Sequence, residues 1–187
     1  MKAFAYLTAC VLAVIAIGIG ASASRWDQKL SQFDNELVRF NYPSSWTADT
    51  FPKPDISMFS SAMVSLSNEA MHAPCVRDGS TVTCSLPLTG LGSGGVLVVW
   101  SADAFPGWTL AREPGRPVSV NGHAGKESSV SGRRSCVIGT QEDITLVVAR
   151  IATANYYEMD ACLRGPDLAR ERSDIQAMIA STKILRS

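Results

Sequence analysis

Glu158 and Asp160 stand two residues apart in the run from Asn155 to Gly165, NYYEMDACLRG. If that run is a strand, both carboxylates project from one face, within roughly 7 Å of each other. Paired carboxylates at that range hydrolyse glycosidic bonds, one as acid and the other as nucleophile or base. The plainer reading is a solvated face, because Tyr157, Met159, Ala161 and Leu163 alternate with Tyr156, Glu158, Asp160 and Cys162 as an apolar face. Histidine offers a second route to general-base chemistry, and the chain has two, His72 and His123. His72 lies three residues before Cys75, and His123 follows an Asn121-Gly122 turn signal. Both read as polar surface residues. No Gly-x-Ser-x-Gly elbow is present; Gly92-Ser93-Gly94 lacks the strand, turn and helix such a nucleophile needs. No catalytic residue is assigned, and a hydrolase would have to use His123 or the Glu158/Asp160 pair.

Gly90-x-Gly92-x-x-Gly95 copies the dinucleotide fingerprint letter for letter. That chemistry needs the order strand, glycines, helix, because the phosphates sit on the first amides of the helix. Here a Pro87-Leu88 loop precedes the glycines and the strand-like GVLVVW follows them. The glycines read as a turn feeding a strand, and no cofactor site is expected.

Lys2 followed by AFAYLTACVLAVIAIGIG and then Ala21-Ser22-Ala23 has the layout of a secretory signal. Residues 1–23 are read as that signal and 24–187 as a single exported domain of about 164 residues, enough for one core. Retained, the same apolar run would serve as an anchor, since it borders on spanning length. Leu7-Thr8-Ala9-Cys10 resembles a lipoprotein box, but most of the apolar run follows the cysteine rather than preceding it. The chain carries 17 basic and 17 acidic residues. No net field attracts nucleic acid, and a membrane enters only through a retained N-terminal segment. The basic doublet Arg133-Arg134 reads as part of a solvated loop.

Cys75, Cys84, Cys136 and Cys162 remain after cleavage. An even number behind an export signal favours disulfides. Asp78-Gly79 is a hairpin turn signal that sets Cys75 opposite Cys84, which leaves Cys136 to pair with Cys162. Chain entropy gives the small loop roughly 2.5–3 kcal/mol and the larger one roughly 3.5 kcal/mol. No C-x-x-C spacing supports zinc, and no metal site is expected.

These groups need elements to hold them. Trp26, Leu30, Phe33 and Leu37 fall at helical spacing, yet Asp34-Asn35 is a turn and LVRFNY beyond it is strand-like. Pro43 stops that strand, and SSWTAD is expected to return beside it. Phe51 to Ser60 reads as a proline loop packed on the body. AMVSLSN, GVLVVW, RPVSVNGHAGKESSV, ITLVVARI and the Glu158 run supply further strands, the last three as an antiparallel series. GVLVVW and ITLVVARI are apolar on both faces and need cover on both sides. The two-faced Glu158 strand is expected half exposed or near an edge. Ser173-Asp174-Ile175-Gln176 is a capping box for a C-terminal helix, with Asp167 after Pro166 as an earlier start. Leu168, Ile175, Met178, Ile179 and Thr182 form its stripe. The class is α+β, a mainly antiparallel sheet with flanking helices and the C-terminal helix docked on it. Phe51, Phe59, Trp100, Phe105 and Trp108 would line a ligand pocket if the proline loop folds over the sheet end; core packing is the alternative use.

Phe40-Asn41-Tyr42-Pro43-Ser44-Ser45-Trp46 resembles the F-x-Y-P-x-x-W opening of the PsbP-like fold. The order of elements is similar too, from an opening hairpin to a helix ending in MIAST. The wider pattern, LSNEAMHAPC through GGVLVVW and FPGW to ACLRGPDL, resembles exported proteins of actinobacteria. The resemblance implies an α-β-α sandwich and a protein that acts by binding, with no catalytic residues to transfer. Disulfides are not general to that fold, and neither a photosynthetic nor a Ran-binding role transfers. The sequence therefore leads to an exported, non-enzymatic domain that binds an envelope or extracellular protein, or a ligand. A hydrolase and a carrier of an apolar small molecule are the alternatives.

Overall fold

The structure is a computed structural model that describes residues 29–51, 60–73, 75–79, 81–132, 136–150 and 155–185. Residues 1–23, read above as a targeting signal, lie outside the described residues, as do Phe59 and the Arg133-Arg134 doublet. In chain order the first strands are β1 (Leu30–Asp34), β2 (Val38–Pro43), β3 (Thr47–Thr50), β4 (Ser60–Ser67), β5 (Cys75–Asp78) and β6 (Thr81–Cys84). Then come β7 (Val96–Ala104), a 3₁₀ turn (Leu110–Arg112), β8 (Arg116–Val120), β9 (His123–Ser131), β10 (Glu142–Ala149) and β11 (Asn155–Leu163). Helix α1 (Leu168–Ser181) and the short β12 (Lys183–Ile184) close the chain.

Seven strands form the main sheet in the order β3-β4-β7-β11-β10-β9-β8, every pair antiparallel. Alternation gives it two unlike faces. Val64, Leu66, Val98, Trp100, Leu146, Met159 and Ala161 point to one face, where α1 and the small sheet β1-β2-β12 cover them. This is the main core. Phe40 stacks on Trp100 at 5.4 Å and on Phe33 at 5.1 Å between ring centres. Each such fully buried large side chain is worth about 2–3 kcal/mol. Ile175 and Met178 bring the helix stripe into the same core. Arg172 of α1 is ion-paired to Glu142 of β10 at 2.6 Å, and Gln176 donates to Glu127 of β9 at 2.8 Å. The Phe40–Trp46 motif thus serves the core: Phe40 and Trp46 are buried, and the Trp46 amide closes a turn on the Pro43 carbonyl.

Several expectations are corrected. Among the described residues there is one α-helix, so the fold is sheet-dominated and the flanking helices of an α-β-α sandwich are not both present. Loops cover the second face instead. The helical spacing before Asp34 does not produce a helix at Leu30–Asp34; β1 pairs with β2, because Asn35 caps a tight turn by accepting from the Leu37 and Val38 amides. β3 does not return beside β2. The turn at Pro43 to Trp46 carries the chain over the core edge, and β3 pairs with β4 in the other sheet. Of the two helix starts read from sequence, the earlier one is used rather than the Ser173 capping box: the Asp167 side chain caps α1 by accepting from the Arg170 amide at 3.2 Å. Good helix formers between the two sites leave nothing to interrupt it. Most consequential, β11 is central rather than near an edge, flanked by β7 and β10.

Both cross-strand turns read from sequence are present. Asn121 and Gly122 both take positive φ, 50° and 84°, in the two-residue turn between β8 and β9. Cys75 and Cys84 are direct cross-strand partners on the separate β5-β6 hairpin, disulfide-bonded with Cα atoms 4.1 Å apart. Cys136 is bonded to Cys162 of β11, with a Cα separation of 5.6 Å. Among the described residues no helix is long and apolar enough to cross a membrane.

Candidate functional site

A central strand with a charged face is a conflict between local pattern and position, and such conflicts mark sites. The register defines its neighbours. Asp160 lies between Val99 of β7 and Thr145 of β10, Glu158 between Ser101 and Val147, and Tyr156 between Asp103 and Ala149. All project from the face opposite α1.

That face is divided into three parts. At one end Leu91, Leu97, Cys136, Val137 and Cys162 make a small second core, which the Cys136–Cys162 bond closes. At the other end Tyr156 stacks on Trp108 at 4.4 Å and on Phe105 at 6.4 Å. Between them lies the carboxylate set. Asp103 is only 4% exposed and accepts from the Ser101 and Ser60 hydroxyls. Asp160 accepts from Thr145 Oγ1 at 3.0 Å. The Glu158 carboxyl donates a hydrogen bond to Asp160.

Burial raises all three acids. For Asp103 it outweighs two hydroxyl donors. For Asp160 it outweighs the Thr145 donor, with the Asp143 and Asp103 charges acting in the same direction as burial. Glu158 is pushed up to about 8, first by burial and then by the negative charges of Asp160 and Asp103. Two adjacent carboxyls cannot both ionise cheaply, so near neutral pH the pair holds a proton. The Tyr156 phenol is also raised, by burial and then by Asp103, Glu158 and Glu113.

A cavity of about 90 Å³ lies beside the pair, lined by Glu113, Pro114, Lys126, Ser128, Thr145, Val147 and Glu158. It has room for a few water molecules. A glycosidase instead needs its carboxyls on either side of a bound sugar. Here they share one strand face and bond to each other, which makes a proton-holding surface.

Other sequence candidates fall elsewhere. His72 is exposed in a loop. His123 follows the β8-β9 turn on the α1 side of the sheet, by alternation with Glu127, so it cannot join Glu158 and Asp160. Of the five aromatic residues, Trp100 is fully buried in the main core, whereas Phe105 and Trp108 lie on the opposite face with Tyr156. Phe51 follows β3, and Phe59 is outside the described residues. Trp100 therefore shares no pocket with Phe105 and Trp108. Among the described residues no group of three or more His, Cys, Asp or Glu is placed to hold a metal ion.

The glycine loop is filled by the protein itself. Gly92 donates to Glu69 Oε1 at 2.7 Å, and the Gly94 amide reaches the carbonyls of Arg164 and Gly165. A Cβ on Gly95 would lie 2.1 Å from Glu69 Oε1. The glycines allow a carboxylate to approach the backbone closely; the amides a phosphate would need are occupied. Asp103, Glu113 and Lys126 are members of the site that sequence reasoning missed. For Asp103 a signal existed, since it continues the alternation Leu97, Val99, Ser101 away from Trp100.

No protein-family model matches the chain, and no curated protein matches it. Among solved structures, the solution structure of cyanobacterial PsbP (CyanoP) from Synechocystis sp. PCC 6803 is similar with a TM-score of 0.48 and 10% identity, over 89% of this chain and 98% of that one. A crystal structure from Bacteroides thetaiotaomicron VPI-5482 is similar with a TM-score of 0.37 and 11% identity, over 79% of this chain. The chain spans 45% of the length of that protein.

Proposed function

We propose that the chain is an exported, disulfide-locked, non-enzymatic domain that binds a partner bearing ammonium or guanidinium groups on the polar face of its sheet. The observation that carries this reading is the carboxyl set Glu158, Asp160 and Glu113, with buried Asp103 beneath it, beside the Phe105-Tyr156-Trp108 stack. Carboxylates and aromatic faces together are the chemistry that recognises such cations. The chain as a whole carries no net charge, so this acidity is local. Two disulfides fit an oxidising compartment. The signal-like N-terminus and the PsbP-like and actinobacterial sequence patterns support the same setting.

A hydrolase is the second reading, favoured by the raised Glu158 carboxyl, which is suited to general-acid work near neutral pH. Its weakness is geometric, as the cavity beside Glu158 is small and the two carboxyls bond to each other rather than flanking a gap. The test is to titrate the isotope-labelled protein with an oligolysine peptide at low salt and map the resonances that move. Shifts centred on Glu158, Asp160, Asp103 and Trp108 are expected. Shifts scattered over other surfaces, or none, would reject cation binding here; cleavage of an envelope polymer that E158Q abolishes would establish the hydrolase.

A further inference from the structure

The segment from Phe105 to Gly115 leaves β7, crosses the polar face and enters β8. Trp108 stacks on Tyr156, and its Nε1 donates to Glu113 Oε1 at 2.6 Å. Lys126 Nζ of β9 donates to the carbonyls of Ala111 and Glu113. None of the residues of its 3₁₀ turn is buried. At its far end Gly115 has φ 105° and sits so close to Glu127 that a Cβ would meet the backbone at 2.2 Å. That end is fixed by close backbone packing, while Phe105 and Trp108 rest on Tyr156 and Lys126 holds the carbonyls of Ala111 and Glu113. Beneath it lies the 90 Å³ cavity, with Glu113 and Pro114 on the upper wall and Glu158 on the floor.

We propose that Phe105–Gly115 is a strap that stays closed while Glu158 and Asp160 share a proton and lifts when that proton is lost. The charge inventory around the pair sets the direction. β11 contributes Tyr156, Glu158 and Asp160, β7 contributes Asp103, and β10 contributes Asp143. The strap itself contributes Glu113, whose charge acts on both Glu158 and Tyr156. Lys126 is the cation that lines the cavity. Arg112, the cation of the strap, is exposed. With the proton in place, the carboxyl-to-carboxyl hydrogen bond neutralises half of the pair. Without it, Glu158 and Asp160 repel each other, and the nearest movable negative group is Glu113. Glu113 carries the Trp108 indole with it through their hydrogen bond, so moving Glu113 away draws the indole off Tyr156. Burial and its acidic neighbours hold the Glu158 carboxyl protonated up to about pH 8, which sets the range over which the strap responds. This device does not depend on which partner the face binds.

The test follows the Trp108–Tyr156 ring contact by nuclear Overhauser effects in the full folded chain from pH 6 to 9.5, with the buried Trp100 as the internal reporter of folding. The expected result is loss of the contact with a midpoint near pH 8 in the wild type and its retention throughout in E158Q. A second variant, D160N, removes the acceptor and the negative charge that both raise the Glu158 carboxyl, and should move the midpoint below that of the wild type; an unchanged midpoint overturns the proposal. A contact that persists to pH 9.5 in the wild type overturns the proposal. So does one that is lost equally in E158Q, since another group would then be responsible.

Discussion

Glu158 donates a hydrogen bond to Asp160 two residues along the same central strand, on a face that the fold has largely taken away from water. A strand at the middle of a seven-stranded sheet would ordinarily carry apolar residues there. The neighbouring hydroxyls of Ser101 and Thr145 satisfy Asp103 and Asp160, so the acids are tolerated rather than expelled. The proton between Glu158 and Asp160 lowers the cost of holding both half-buried on one face.

That proton ties stability to pH. The Glu158 carboxyl is raised from the ordinary 4.5 to about 8 in the folded protein. Its contribution is therefore fully present below about pH 4.5 and is lost as pH rises to about 8. Urea denaturation at pH 5 and pH 9 should show the wild type losing stability through this group. E158Q should have a flatter profile, so its stability relative to the wild type should rise between pH 5 and pH 9. Glu142 acts in the opposite sense, because its bond to Arg172 lowers its carboxyl and is lost in acid.

The two disulfides should differ in weight. Cys136–Cys162 closes the small core over β11, and replacing both cysteines with alanine should cost about 3–4 kcal/mol. Cys75–Cys84 staples a hairpin that forms its own two-stranded sheet. Without it the hairpin can fray while the body stays folded, so the loss should stay below the ~2.7 kcal/mol chain-entropy value. Chemical denaturation of the two double-alanine variants measures both.

Phe40→Ala should cost about 3–5 kcal/mol, because it removes the ring between Phe33 and Trp100 in the main core. Thermal unfolding checks this. A comparable loss from Phe105→Ala would contradict the division of the sheet into a stabilising face and a presenting face, since Phe105 is 42% exposed.

Gly95→Ala should destabilise by about 1–3 kcal/mol, through collision of the new methyl with Glu69. Adding a dinucleotide to the wild type should leave its unfolding temperature unchanged. A rise in that temperature with dinucleotide would mean that Glu69 yields its place on the loop amides.

Much of this architecture was legible because it rests on local chemistry. Asn121-Gly122 and Asp78-Gly79 dictate turns whatever surrounds them. Alternation separated Tyr157, Met159 and Ala161 from Tyr156, Glu158 and Asp160 correctly. It could not say how that strand is placed, because polar alternation normally signals solvent and here signals half-buried, proton-sharing acids. The pairing of β3 was illegible for a similar reason. A turn at Pro43 to Trp46 is compatible with a hairpin or with a crossing between sheets, and only the packing of Phe40 and Trp46 into the core selects the crossing. Glu113 and Lys126 reach the site from a loop and from β9, at separations no spacing rule covers.

The most direct measurement of the central reading is the affinity of the wild-type domain for an oligolysine peptide as a function of salt, compared with a variant neutralised at Asp103 and Glu158. Binding is expected to weaken steadily with salt, to strengthen as pH rises toward 8 and to be lost in the D103N/E158Q variant while folding is retained. Equal binding by the two proteins, or no binding by the wild type at low salt, would contradict it.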